Sequence, residues 1–150
     1  MSHARETLRS AITTAVTGLT TTGGSVFTNH AYPFEDSTLP NLSIYFLHEP
    51  ETSEPDDQVM GDYEFRAFPF QVVARVKATS ELDNTLDDIC SEVETAIHGN
   101  AALSGYVKDI RLISTEFELD GEGEKPVGAA RMEWVAVYRV NRTAPTAPVN

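Results

Sequence analysis

An alternating segment, residues 39–48 (LPNLSIYFLH), constrains the fold more than any other part of the sequence. Leu42, Ile44 and Phe46 occupy every second position, and Pro40 stands at the entry. A hydrophobic period of two is typical of a β-strand that buries one of its faces. The segment therefore predicts a central strand with one strongly apolar side.

Residues 62–78 show a second and longer alternation. The apolar positions that share one parity are Phe68, Phe70, Val72, Ala74 and Val76. Tyr63 and Phe65 have the opposite parity, which predicts a β-bulge near residues 66–67 that brings both halves onto one face. Pro69 favours the same interpretation, because proline inside a strand belongs at an edge or a bulge.

The C-terminal third predicts an antiparallel hairpin of residues 107–119 and 128–141, joined by a loop at 120–127. The second strand alternates through Met132, Trp134, Ala136, Tyr138 and Val140. In the first strand the apolar parity shifts around residues 112–113, which predicts another bulge. A short strand is expected at 25–28, and the Pro- and Thr-rich tail at about 142–150 is expected to be flexible.

Two segments have the three-to-four spacing of amphipathic helices. One covers residues 4–17 through Leu8, Ile12 and Val16. The other follows a capping-box-like Ser-Glu-Leu-Asp at 80–83 and ends near Gly99. We therefore predict one α+β domain over residues 1–150, with a sheet of about four to five mostly antiparallel strands and two helices packed on one face.

Acidic residues dominate the charge, with 23 Asp and Glu against 11 Lys and Arg and a formal net charge of −12. This balance argues against a surface that grips nucleic-acid phosphates. The acids concentrate in residues 49–64, which we expect to form a solvated loop; they are Glu49, Glu51, Glu54, Asp56, Asp57, Asp62 and Glu64. The hairpin loop adds Asp120, Glu122 and Glu124, and both loops are candidate contact elements.

Motifs of catalysis and ligand binding are missing from the sequence. The four histidines stand far apart without a metal-ligand spacing, and Cys90 has no second cysteine as partner. No glycine-rich phosphate motif is present, and Asp87 and Asp88 are adjacent on a helix and so point in different directions. No apolar stretch approaches the ~18 residues of a membrane span. We expect no enzyme activity, no metal, no cofactor and no membrane partner.

The layout over residues 4–141 resembles that of the tail terminator (U-like minor tail) proteins of long-tailed bacteriophages. The similarity includes the opening helix with LRSAI at 8–12 and the acidic FED at 34–36, which leads into LPNLSIY at 39–45. A polar acidic loop, a long strand, a helix and a final hairpin with an aromatic strand follow in the same order. Tail-completion proteins of other phages are similar as well.

This resemblance implies a structural protein of the virion, assembled in the host cytoplasm, that forms a ring, usually a hexamer. The ring caps the head-proximal end of the tail tube and ends its polymerisation, so its partners are itself, the tail tube protein and the head-connector protein. DNA would pass through the ring without specific binding. From the charge of the chain we expect some acids of 49–64 or of the second helix to face this channel or the neighbouring tube. Arg75, Arg131 and Arg139, opposite the apolar strand face, would pair with acids of a neighbouring copy.

Other interpretations stay open. A neck, connector or tail-completion protein has the same general layout, and a small-ligand binding module would use the face of the sheet as its pocket. An enzyme would need at least two of His30, His48 and the acidic residues to converge in one cleft.

Overall fold

One mixed sheet and the helices packed against it make up the fold in the computed structural model, which describes residues 3–28, 39–47, 59–60, 63–77, 82–120 and 127–148. The helices are α1 (Ala4–Ala15), α2 (Leu82–Gly99) and α3 (Ala101–Tyr106). The strands are β1 (Val26–Thr28), β2 (Asn41–Phe46), β3 (Val59–Met60), β4 (Tyr63–Lys77), β5 (Asp109–Asp120), β6 (Val127–Asn141) and β7 (Ala144–Pro148). The predicted α+β class is confirmed.

Strand order follows the path β1-β2-β4-β6-β5, with β3 paired to β4 and β7 paired to β6. The pairs are antiparallel except β1–β2, which is parallel. Among the described residues the sheet thus has seven strands, where four to five were predicted. The two additional strands, β3 and β7, are short pieces in segments that were expected to be loop and tail.

The sheet buries the face that the alternation predicted. The buried strand positions on this face are Leu42, Ile44, Phe68, Phe70, Val72, Ala74, Val76, Ala130, Met132, Trp134, Ala136, Tyr138 and Val140. They form one cluster with the apolar stripes of the helices, including Leu8 and Ile12 of α1 and Ile89 and Val93 of α2. Burial of this shared apolar surface holds the layers together.

The bulge expected near residues 66–67 is wrong. β4 and β6 pair without interruption from Tyr63 opposite Asn141 to Lys77 opposite Val127. Tyr63 therefore keeps its parity and lies on the opposite face, where the guanidinium of Arg139 sits 4.8 Å from the centre of its ring. This cation–π contact stabilises the tyrosine ring on the outer side of the strand. Tyr63 therefore does not have to reach the buried face, and no bulge is required.

Pro69 instead lies where a neighbouring strand ends. The last residue pair of β2 and β4 is Phe46 opposite Phe70, and the amide of Leu47 donates to the Pro69 carbonyl over 3.2 Å. The missing amide of Pro69 thus faces the end of β2, and the β4–β6 ladder loses no hydrogen bond. The second predicted bulge is confirmed, since the register of β5 against β6 shifts between Leu112 and Ser114.

Two further expectations need correction. The tail at 142–150 was expected to be flexible, but Ala144–Pro148 pairs with the end of β6 and contacts α1. The acidic segment 49–64 was expected to be loop throughout, but Val59–Met60 pairs with the start of β4. In both cases a strand edge left unpaired by the main ladders accepts a short neighbouring segment.

A third helix was not predicted. α3 begins directly after α2, where the side chain of Asn100 accepts a hydrogen bond from the amide of Leu103 over 2.8 Å. Leu103 is buried and anchors this short helix in the core. The signal was present in the sequence as an Asn N-cap followed by one apolar residue, which is too little for a periodicity. Within the described residues, no helix has the length and hydropathy needed to span a membrane.

Candidate functional site

The face of the sheet that points away from the helices carries the three arginines singled out from the sequence; we call it the outer face. Arg75 lies on β4, and Arg131 and Arg139 lie on β6. Each of them is half-buried. The structure places all three on one surface, and the distances between side chains show what each one contacts.

Arg75 binds across the ladder between β2 and β4. Its guanidinium donates to the Ser43 hydroxyl over 2.9 Å and to the Tyr45 hydroxyl over 3.4 Å. Ser43 is fully buried despite its polarity, so this hydrogen bond satisfies a group that burial would otherwise penalise. Arg75 therefore stabilises the outer face of its own chain.

Arg131 and Arg139 are also engaged within the chain. Arg131 forms an ion pair with Glu118 of β5 over 3.2 Å, and Arg139 covers the ring of Tyr63. Glu118 and Arg131 are both more than a third exposed, so solvent screens the pair and its energy is about 0–1 kcal/mol. The Glu118 side chain remains 53% exposed in this pair.

A polar ladder crosses three strands at the middle of the outer face. The carboxylate of Glu133 accepts from the Gln71 amide over 3.3 Å and from the Ser114 hydroxyl over 3.4 Å. These side chains come from β6, β4 and β5. They are long hydrogen bonds between neutral donors and one carboxylate, and they connect side chains that are already neighbours in the backbone ladders.

The predicted acidic sites lie almost entirely outside the described residues. This applies to Glu49, Glu51, Glu54, Asp56, Asp57, Asp62, Glu122 and Glu124. Asp120 is the last residue of β5 and pairs with Val127, so it ends a strand and does not belong to the loop. His30 and His48, two of the candidate groups of the enzyme interpretation, also fall outside the described part of the chain.

Two open clefts flank the exposed side of α1. One has a volume of about 420 Å³ and lies between Glu6, Ser10 and Thr14 of α1 and Asn100 and Tyr106. The other, which we call the α1–β1 cleft, has a volume of about 400 Å³; it is lined by Arg9, Ser10, Thr13, Thr14, Thr28 and Phe46. Both clefts are lined by side chains of α1, so neither lies on the outer face.

Cys90 lies buried in α2, and its thiol is a poor nucleophile. Burial, assisted by the charges of Glu94 and Asp87, raises the pKa of its thiol to about 11. A thiol with that pKa is almost entirely protonated at neutral pH, and the thiolate is the nucleophilic form. Cys90 is therefore a residue of the buried core. The described residues hold no group of three or more His, Cys, Asp and Glu that would bind a metal.

Sequence reasoning missed two polar clusters that fix the ends of helices. Glu92 of α2 accepts from the Thr21 amide over 2.8 Å and from the Thr21 hydroxyl over 2.5 Å, which ties the turn after α1 to the second helix. At the other end of α1, the N-cap His3 accepts a hydrogen bond from the backbone amide of Arg5. Its Nε2 atom lies 3.0 Å from the guanidinium of Arg66. Separations of 71 and 63 residues leave no pattern in the sequence that would have shown these pairs.

Arg66 is the centre of the second cluster. Burial by itself would lower the pKa of Arg66, but hydrogen bonds and charge attraction from Glu64 and Tyr138 outweigh it and raise the pKa. Glu64 also faces Arg142 over 3.8 Å. The cluster thus joins the start of β4 to the segment before β7.

The edge of the sheet at β5 is the most distinctive surface. It is the last strand of the path, it is 12 residues long, and it carries the two most exposed large apolar side chains of the described chain. Ile113 is 56% exposed and Phe117 is 55% exposed. No strand of the described residues pairs with the second side of β5, and a long edge strand with exposed apolar side chains is suited to contact with another chain.

Comparison with known proteins adds no assignment: no protein-family model matches this chain, and no curated protein sequence matches it.

Proposed function

We propose that this protein is a structural component of a long-tailed bacteriophage or prophage, and that it assembles into a ring on the head-proximal end of the tail tube. The ring ends polymerisation of the tube and offers a surface to the head-connector protein. Its work is assembly and not covalent chemistry. It acts in the virion and, before that, in the host cytoplasm.

The observation that carries this proposal is the order of elements along the chain. An opening helix is followed by β1 and β2, a long strand, a helix and a long C-terminal hairpin with an aromatic strand. This is the order of the tail terminator layout to which the sequence is similar. The β4–β6 ladder of 15 residue pairs gives that layout a rigid centre on which contact loops can be carried.

Ring formation requires a head-to-tail interface that closes by rotation, since the same two surfaces must meet at every junction. The sheet supports such an interface, because its described part ends in different strands, β1 and β5. Self-association of an acidic chain is opposed by repulsion between copies. Assembly should therefore strengthen with ionic strength, because salt shortens the range of repulsion to about 8 Å at physiological concentration.

The negative charge of the chain suggests how DNA would pass through the lumen of the ring. Six copies at −12 each carry a formal charge of −72. A lumen lined by acids repels phosphates, so DNA slides through it without sticking. The residues that would supply this charge are the acids of 49–64 and the exposed acids of α2, Asp83, Asp87 and Asp88.

The proposal is tested by polymerising the tail tube protein of the same phage with and without this protein. We expect shorter tubes in electron micrographs, with added density at one end, and a mass in light scattering that rises toward a ring as salt increases. Tubes with the same length distribution and no end density in both samples would refute the function. For the lumen, variants with Asp56, Asp57 and Asp62 changed to Asn should assemble but slow DNA ejection; normal ejection would refute the acidic-lumen role.

The same experiments distinguish two alternative functions from the proposed one. A neck, connector or tail-completion protein would bind filled heads or connector rings and leave tube length unchanged. A small-ligand binding module is favoured by the cleft of about 420 Å³ beside α1, which is within the size range of ligand sites. It would remain a monomer or dimer at all salt concentrations and show saturable stabilisation by a ligand.

A further inference from the structure

The second half of β5, residues 114–120, is a regular strand that ends the described sheet; we call it the β5 edge segment. It pairs with β6 without interruption from Ser114 opposite Glu133 to Asp120 opposite Val127. No strand of the described residues pairs with its second side. Backbone groups of a strand point to its two sides in turn, so about half of those in this segment point away from β6.

The face of the segment that points toward the helices carries an exposed aromatic ring. Phe117 stands opposite Ala130 in the ladder, and Ala130 belongs to the buried face of β6. Phe117 is nevertheless 55% exposed, whereas Ala130 is fully buried. A strand added beside β5 would place a side chain next to this ring, because opposite residues on one face lie about 4.5–5.5 Å apart. An apolar side chain at that position would cover the ring.

The outer face of the same segment is acidic. Glu116 stands directly opposite Arg131, and Glu118 forms an ion pair with the same guanidinium over 3.2 Å. Both glutamates are exposed. Arg131 is the only Lys or Arg in the facing part of β6, residues 127–133, so two carboxylates share one positive charge there. The segment therefore offers an apolar ring on one face and excess negative charge on the other.

We propose that the β5 edge segment binds an extended, basic segment of a partner protein as an additional strand. Its apolar side chains lie beside Phe117, and its Lys or Arg side chains lie beside Glu116 and Glu118. In this mode of recognition the main-chain hydrogen bonds supply affinity, and the alternating side chains supply specificity. The inference goes beyond the proposed function, because it concerns one edge of the isolated chain and does not require a ring.

Charge selects the occupant of this edge. A second copy of the segment, paired antiparallel with the first, would set one acidic row beside another, and like charges directly opposite each other destabilise a strand pair. A basic segment instead compensates the carboxylates of Glu116 and Glu118. It is also attracted over a distance by a chain whose formal net charge is −12.

The test titrates the full chain with the peptide acetyl-VKVKVKV-amide, which has the length and the alternation of a strand that fits the segment. We expect saturable binding of one peptide per chain, measured by calorimetry, and slower hydrogen exchange of amides in residues 114–120. Two control peptides, acetyl-KKKVVVV-amide and acetyl-VEVEVEV-amide, should bind at least about tenfold more weakly. Equal binding of the alternating and the block peptide, or unchanged exchange of these amides, would overturn the proposal.

Variants of the segment test both of its faces. Glu116→Lys combined with Glu118→Lys should weaken binding of acetyl-VKVKVKV-amide at least about tenfold and make acetyl-VEVEVEV-amide the tighter ligand. Phe117→Ser should weaken binding of acetyl-VKVKVKV-amide about two- to fivefold, the usual effect of one cross-strand pair. A charge-reversed variant that keeps the wild-type preference would refute the role of the acidic row.

The matched control is Asp87→Lys combined with Asp88→Lys, which makes the same change in net charge at exposed positions of α2. This variant should keep the preference for acetyl-VKVKVKV-amide. If it loses as much affinity as the β5 variant, net charge and not the strand edge is responsible, and the proposal is overturned. Circular dichroism checks that every variant retains the wild-type secondary structure.

Discussion

Phe70 and Trp134 stack across the two longest strands. They are direct partners in the β4–β6 ladder, their ring centroids are 6.1 Å apart, and their planes differ by 7°. Both side chains are essentially inaccessible to solvent. Because the stack lies between the helices and the centre of the ladder, it joins the two layers of the fold at their most buried point.

Trp134→Ala should lower the free energy of unfolding by about 3–5 kcal/mol, the cost of truncating a buried aromatic residue. Trp134→Phe should cost less than half as much, because the indole Nε1 is buried without a hydrogen-bond partner and phenylalanine removes that donor. Urea denaturation measures both values. Phe117→Ala, at an exposed aromatic position, should stay within about 0.5 kcal/mol of wild type. Equal losses for the two Trp134 variants would contradict this account.

Gly128 lies against Leu82 at the beginning of α2. A Cβ added at Gly128 would stand 2.5 Å from Leu82 Cδ1 and 3.0 Å from Leu82 Cγ. Gly128→Ala should therefore cost about 1–3 kcal/mol through overpacking. In the Leu82→Ala background the same substitution should be close to neutral.

A double-mutant cycle on Gly128 and Leu82 measures this coupling directly. Gly105→Ala is the control, since a Cβ there meets nothing within 4 Å and alanine favours the helix. A cost at Gly128 that persists unchanged in the Leu82→Ala background would show that the contact is not the cause.

Cys90 makes stability depend on pH at the alkaline end. The thiol pKa is raised from an ordinary value of 9.0 to about 11 in the folded chain, so the unfolded chain releases its proton first. The folded chain has its full stability below pH 9, and it loses about 2–3 kcal/mol of that stability as pH rises from 9 to about 11, because only the unfolded chain can release the proton over this range. Cys90→Ala removes this loss, so the difference in unfolding free energy between wild type and variant should change across that window. A constant difference from pH 8 to 11 would argue against the raised pKa.

The bond between Glu92 and Thr21 should stabilise the turn after α1. Glu92→Ala removes a carboxylate that accepts two hydrogen bonds, one of them from a backbone amide, and should cost about 1–3 kcal/mol. Thr21→Val should lower the free energy of unfolding by a smaller amount, because the hydrogen bond from the Thr21 backbone amide to Glu92 remains. Asp88→Ala, an exposed acid on the same helix, serves as the control and should change stability by less than about 0.5 kcal/mol. Hydrogen exchange at the Thr21 amide should accelerate in Glu92→Ala and stay slow in the control; equal protection would contradict the assignment.

Interpretation from sequence succeeded where a residue's place depends on its immediate neighbours. The alternation in β2, β4 and β6, the stripe of α2 and the parity shift at Leu112 are local patterns, and the structure has each of them. The same reasoning failed at Tyr63 and Phe65, because we assumed that apolar residues of a strand must all lie on its buried face. Their face of the strand is half covered by long side chains such as Arg139, so aromatic residues are tolerated there without a bulge.

The sequence by itself determined the two long helices, the strands of the main ladders, the buried face of β2 and β6 and the absence of a recognisable catalytic motif, since all of these follow from periodicity and residue type. Tertiary structure alone decided that β1 lies parallel to β2, that Ala144–Pro148 becomes a strand, and that β5 is an edge. The physical reason is that a strand's own side chains alternate in the same way whether or not a further strand pairs with it. The place of β5 at the edge of the described sheet and the exposure of Ile113 and Phe117 arise only when the strands take their order in the sheet.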